Sequence, residues 1–105
     1  MEEIIEVVST FPSKEDAEKV AELLIKERLA ACVQLQGPVK SVYRWKGKVE
    51  EDEEWILTAK TKMSLYGDVE KLIKENHTYE VPQILAFPVV RGLKDYLEWL
   101  KGEVK

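Results

Sequence analysis

One hundred and five residues, 45% of them hydrophobic and with no linker-like run, provide for one domain around one core and exclude two. Twenty acidic residues against sixteen basic ones leave a net charge of −4, which argues against the basic face of a nucleic-acid binder. No apolar run approaches the ~20 residues of a membrane span, and Met1-Glu2-Glu3 carries acid where a signal peptide carries base.

Ile4 to Ser9 is a short β-branched run that predicts a buried strand, ended by Phe11-Pro12. Ser13 offers an N-cap with Asp16 three residues on, and Glu15 adds negative charge to the first turn. Ala17, Val20, Ala21 and Leu24 follow at helical spacing, edged by Leu23 and Leu29, and predict a helix ending near Ala30. Cys32 to Leu35 begins a second strand. Gly37-Pro38 interrupts it, and a residue with no amide proton there predicts a bulge or bend.

Beyond the bend, Val39, Tyr43 and Trp45 alternate with Lys40, Arg44 and Lys46, and Lys46-Gly47 suits a tight turn. The return strand runs from the acids Glu50–Glu54 into Trp55-Ile56-Leu57-Thr58-Ala59-Lys60, and a two-residue turn sets Lys40 opposite Glu53. Arms of about ten residues at ~3.3 Å each outreach a core of this size. Tyr43 and Trp45 would then stand in water, which predicts a partner subunit.

Leu65, Val69, Leu72 and Ile73 predict a second helix ending at Asn76-His77. Val81 to Val90 reads as a fourth strand, with Pro88 marking an edge or a bulge. Leu93, Tyr96, Leu97 and Leu100 predict a closing helix that stops at Gly102. The sum over 1–105 is a single α+β domain of ferredoxin-like βαββαβ order. It has a long hairpin between the second and third strands and an extra C-terminal helix.

The chemistry on offer is sparse. A closed zinc site takes four cysteines or histidines, and this chain holds one of each, Cys32 and His77. The plainer reading makes Cys32 a small buried hydrophobe and His77 a capping or hydrogen-bonding residue at a helix end. The acids at 50–54 could hold a hard cation, but they lack the glycine turn of a calcium loop and suit a solvated strand facing Lys40, Arg44 and Lys46. There is no P-loop, dinucleotide-binding glycine motif or nucleophile elbow, and nothing in the sequence brings Cys32 to His77, so no enzyme is expected. One cysteine permits no internal disulfide and fits a reducing cytoplasm.

Four segments stand in a telling order: Leu29-Ala30-Ala31-Cys32-Val33-Gln34, Ser41-Val42-Tyr43-Arg44-Trp45-Lys46-Gly47, Lys60-Thr61 and His77-Thr78-Tyr79-Glu80-Val81-Pro82. From Ile4 to Leu100 the chain resembles the CutA family of divalent-cation-tolerance proteins. The resemblance implies a homotrimer similar in fold and assembly to the PII signalling regulators, joined through its hairpins. It also implies clefts between subunits, near which Lys60, Tyr79, Glu54, Trp45 and Trp99 would lie, suited to a small charged ligand or a protein partner. A role in tolerance of divalent ions follows, with copper(II) the leading ion, His77 and Cys32 its candidate ligands, and no organic cofactor. The chain departs from the family at three points. Ser9 stands where some members carry cysteine, Thr78 where proline is usual, and Gln83 where many carry glutamate.

Overall fold

The computed structural model describes residues 3–105, so the Met1-Glu2 pair lies outside the described residues. The elements run β1 (Ile4–Phe11), α1 (Lys14–Lys26), β2 (Cys32–Trp45), β3 (Lys48–Lys62), a 3₁₀ turn (Met63–Leu65), α2 (Tyr66–Glu75), β4 (Ile84–Pro88) and α3 (Lys94–Glu103). The strands form one sheet in the order β2-β3-β1-β4, with every neighbouring pair antiparallel. This is the ferredoxin-like α+β arrangement, with α3 appended.

Strand alternation decides which face is the core. Ile5, Val7 and Phe11 of β1, with Leu57 and Ala59 of β3, are buried against Ala17, Val20 and Leu24 of α1 and Val69 and Ile73 of α2. The alternate residues, Glu6, Val8, Thr58 and Lys60 among them, turn to the opposite face. Ser9 and Thr61 point to the core side with fully buried hydroxyls that find no hydrogen-bond partner among the described residues.

Ser13 caps α1 as expected, accepting from the amide of Asp16 at 3.1 Å. The helix stops at Lys26, short of Ala30, because Arg28 takes a left-handed φ of 56°. The amide of Leu29 then reaches Leu24 O at 2.9 Å and that of Arg28 reaches Ile25 O at 3.0 Å, the paired bonds of a Schellman cap. Arg28 has no glycine's freedom at this φ, but its side chain is held in turn. Its Nε donates to Glu103 O at 3.2 Å and its Nη2 to Gly102 O at 3.4 Å, so a cation closes the C-terminal end of α3. Gly102 accordingly lies inside α3, and the chain leaves the helix at Val104.

The fourth strand is half the predicted length, Ile84–Pro88 in place of 81–90. Residues 78–83 arch over the sheet instead of joining it, and β4 is an edge strand that Pro88 ends.

The hairpin keeps its predicted register, with Lys40 facing Glu53 across the Lys46-Gly47 turn, where φ is 49° and 80°. The ion pair forms with the diagonal neighbour, Lys40 Nζ to Glu51 Oε1 at 3.3 Å, and in water it contributes little. At Gly37-Pro38, joined by a cis bond, two residues of β2 oppose Trp55 alone. A Cβ on Gly37 would lie 2.6 Å from Trp55 Cδ2, so only glycine lets the strand pass the indole. The bulge shifts the alternation of β2 by one. Cys32, Gln34 and Gln36 face away from α1 and α2 before it, and Val39, Ser41, Tyr43 and Trp45 do so after it, beside Glu54, Asp52 and Glu50. Past the bulge the hairpin is a free arm, which stretches the molecule to 45 × 26 × 22 Å.

Candidate functional site

The site begins where α2 ends. Asn76 Nδ2 donates to Leu72 O at 2.9 Å and closes the helix, which leaves His77 at the head of the arching segment. The His77 ring stacks on Phe11 with centroids 4.4 Å apart. Its two nitrogens are both used: Nε2 lies 2.7 Å from the carbonyl of Thr10, and Nδ1 lies 3.1 Å from the amide of Tyr79. A carbonyl can only accept and an amide can only donate, so the proton sits on Nε2 and the lone pair of Nδ1 takes the Tyr79 amide. His77 is thus a bracket between β1 and the segment after α2.

That bracket sets Tyr79 over β3, where its hydroxyl donates to Glu54 Oε2 at 2.8 Å. Glu54 is only 8% exposed and enters no ion pair among the described residues. Two residues along β3, Asp52 Oδ2 accepts a hydrogen bond from the Tyr43 hydroxyl. Burial, then the Glu54 bond, push the Tyr79 phenol above its ordinary range, and the Asp52 bond foremost pushes Tyr43 up to about 12. Both tyrosines stay protonated and donate toward carboxylates across the neutral range.

Between the arm and the arch lies a cleft of about 650 Å³, walled by Tyr43, Trp45, Glu54, Tyr79, Glu80 and Val81 and completed by Val42 and polar side chains. No lysine or arginine stands among its described lining residues. Of the five residues the family resemblance assigns to a ligand cleft, the structure gathers Tyr79, Glu54 and Trp45. It leaves two aside within the same chain. Lys60 lies six residues beyond Glu54, ~20 Å along β3, and its Nζ donates to Gln34 Oε1 at 2.6 Å. Trp99 sits on α3 with its ring 5.5 Å from that of Tyr96.

The two metal-ligand candidates are also apart. Thr10, bonded to His77, faces Ile56, whereas Cys32 faces Lys60, four residues or ~13 Å along the same strand. Cys32 is half-buried, not fully so, and points to the face away from α1 and α2. No cluster of three or more histidine, cysteine, aspartate or glutamate side chains that could hold a metal ion occurs among the described residues. Tyr43, Asp52 and Glu80 join the site without having been singled out as ligands. A signal for the first two was present in the register: a two-residue turn sets Tyr43 opposite Glu50 and makes Asp52 its diagonal neighbour.

Comparison with known proteins agrees with this architecture. The family model of the CutA1 divalent ion tolerance protein matches residues 5–103. The divalent-cation tolerance protein CutA of Thermus thermophilus is 43% identical over 96% of this chain and 96% of its own length. A chloroplastic CutA of Arabidopsis thaliana is 41% identical over 96% of this chain, which spans only 56% of that longer protein. The crystal structure of CutA1 from Oryza sativa superposes with a TM-score of 0.95 at 42% identity, over 98% of this chain and 94% of that one. A matched family model, near-complete coverage and a shared fold converge, and the chain belongs to the CutA1 divalent ion tolerance family.

Proposed function

We propose that this chain serves divalent-cation tolerance as a homotrimeric binding and sensing protein of the cytoplasm, without catalysis, and that its working part is the cleft beneath the hairpin arm. The cleft takes a small charged ligand, and metal effects on the cell follow from that binding indirectly, as in a PII-like regulator. One observation carries the reading: three aromatic rings and a buried carboxylate converge on a space of about 650 Å³, within the usual size of small-molecule sites. Assembly is supported by what the single chain leaves in water. Val42 and Val49 on the arm are 59% and 63% exposed, and Leu85 and Phe87 of β4 stand half exposed on the face that α1 and α2 leave open. Lys60 and Trp99 complete a cleft only if a neighbouring subunit brings them there. No helix is long and apolar enough to cross a membrane.

A second reading is direct binding of a divalent ion, copper(II) foremost, through His77 and Cys32, in keeping with a family described by divalent ion tolerance. That site requires His77 to give up a ring bond, to Thr10 or to Tyr79, and to meet a thiol from another subunit. Native mass spectrometry of metal-stripped protein titrated with copper(II), against zinc(II) and magnesium(II), separates the two. The expected result is a trimer with graded, unselective adducts. A fixed copper count that vanishes in His77→Ala while the trimer persists would replace the cleft reading with direct coordination. A monomer at all concentrations would remove the trimer from both.

A further inference from the structure

We propose that Arg28 is a positioning residue for subunit assembly: it latches the C-terminal end of α3 to the corner between α1 and β2, and so holds Trp99 where a neighbouring subunit meets it. The inference rests on the trimer reading above and names a residue that orients part of the interface.

Its first ground is a conformation that does not suit the residue. Arg28 takes a φ of 56°, in the left-handed region that favours glycine, and the Schellman turn it closes needs only backbone atoms. An arginine there costs stability that a glycine would not. The turn therefore does not explain the side chain.

The second ground is what that side chain reaches. Nε donates to Glu103 O at 3.2 Å and Nη2 to Gly102 O at 3.4 Å, while the Arg28 carbonyl accepts from the amide of Lys105 at 3.1 Å. The two guanidinium bonds go to carbonyls of the last turn, which have no partner within a helix, and they set a cation at the negative end of its dipole.

The third ground is what the latch controls. At its other end α3 has no side-chain cap, since Leu93 stands there. Leu100 and Val104 are buried, but Tyr96 and Trp99 stand 39% and 45% exposed, with ring centres 5.5 Å apart. Trp99 lies one helical turn before Glu103, so the direction of its indole follows the carbonyl that Arg28 holds.

The test is hydrogen–deuterium exchange of α3, with sedimentation of the full chain over a dilution series in mild urea, for wild type, Arg28→Gly and Arg28→Lys. Glycine keeps the turn, suits its φ and removes only the guanidinium. In Arg28→Gly, α3 amides should exchange about ten-fold faster, with α2 unchanged as the check on the fold, and the assembly should dissociate at higher protein concentration. Arg28→Lys keeps the charge but not the planar fork, and should fall between the two. In a Trp99→Ala background, Arg28→Gly should weaken assembly no further, because the latch acts through the indole. Exchange in α3 equal to wild type overturns the latch and leaves the trimer standing. Faster exchange with unaltered dissociation overturns the positioning role, as does an equal effect with and without Trp99. A wild type that is monomeric at every concentration overturns the trimer reading and this inference with it.

Discussion

The hairpin is one pair of strands with two different lives. From Cys32 to Gln36, paired with Ile56–Lys60, it is roofed by helices on one side, and residue type follows burial: Leu57 and Ala59 are fully enclosed while Thr58 and Lys60 turn away. From Val39 to Glu54 no helix covers it, and Val42, Tyr43, Trp45 and Val49 are each 40% exposed or more. The lower half is explained by its own chain. The arm is not: nothing inside the chain accounts for an indole, a phenol and two valines in water, so its composition reports on something outside the chain, a ligand or another subunit.

The contrast is tested most severely by matched truncations. Phe11, 1% exposed, closes the base and carries the stacked His77 ring. Phe11→Ala should cost about 3–5 kcal/mol in chemical denaturation and also release the arch that places Tyr79. Val49→Ala on the arm, at 63% exposure, should fall within about 0.5 kcal/mol of wild type in the denatured-to-folded equilibrium of a dissociated chain. Equal losses at the two positions would mean that the arm is packed by the chain itself, and the comparison would fail.

Gly37 joins the two halves, and its replacement should act next most strongly. The methyl of Gly37→Ala would press on Trp55 Cδ2 from 2.6 Å, an overpacking that costs about 1–3 kcal/mol. Trp55→Leu in the same chain should recover much of that loss, so a double-mutant cycle in thermal unfolding reads the clash directly. Additive effects would show that glycine is needed for something other than passage of the indole.

The base was more legible in the sequence than the arm's chemistry, for a physical reason. Apolar periodicity reports burial within the chain, so Ile5, Val7, Val20, Val69 and Ile73 declare their elements, and Lys46-Gly47 declares the turn. Two boundaries slipped because local pairing overrode periodicity. Arg28 stopped α1 early in a conformation usually left to glycine, and Val81-Pro82 looked like strand but belongs to the arch that His77 pins to Thr10. The site was half visible. Tyr79, Glu54 and Trp45 follow from the family resemblance, and the two-residue turn already makes Asp52 the diagonal neighbour of Tyr43, whereas the bond of Tyr79 to Glu54 depends on the His77 bracket, which no periodicity reveals. Lys60 and Trp99 sit in segments that the resemblance marks, yet a strand's rise carries one away from the cleft and α3 carries the other.

The smallest effect is also the most local, the titration of the tyrosines. Tyr66 and Tyr96 are raised chiefly by burial, and Tyr43 chiefly by its bond to Asp52, from 10.0 to about 12. A phenol whose pKa is higher folded than unfolded binds its proton more tightly in the fold. Its contribution is therefore whole below pH 10 and is lost as pH climbs from 10 toward about 12. Unfolding midpoints should fall through that window, and less steeply in Tyr43→Phe. Phenolate absorbance gives the sharper reading. Asp52→Asn should bring one late-titrating tyrosine back toward pH 10 and leave Tyr66 and Tyr96 where they are, because those two owe their shift first to burial in the base. If every tyrosine moved together, the arm and the base would be electrostatically one body, and the cleft would have no separate chemistry to offer a ligand.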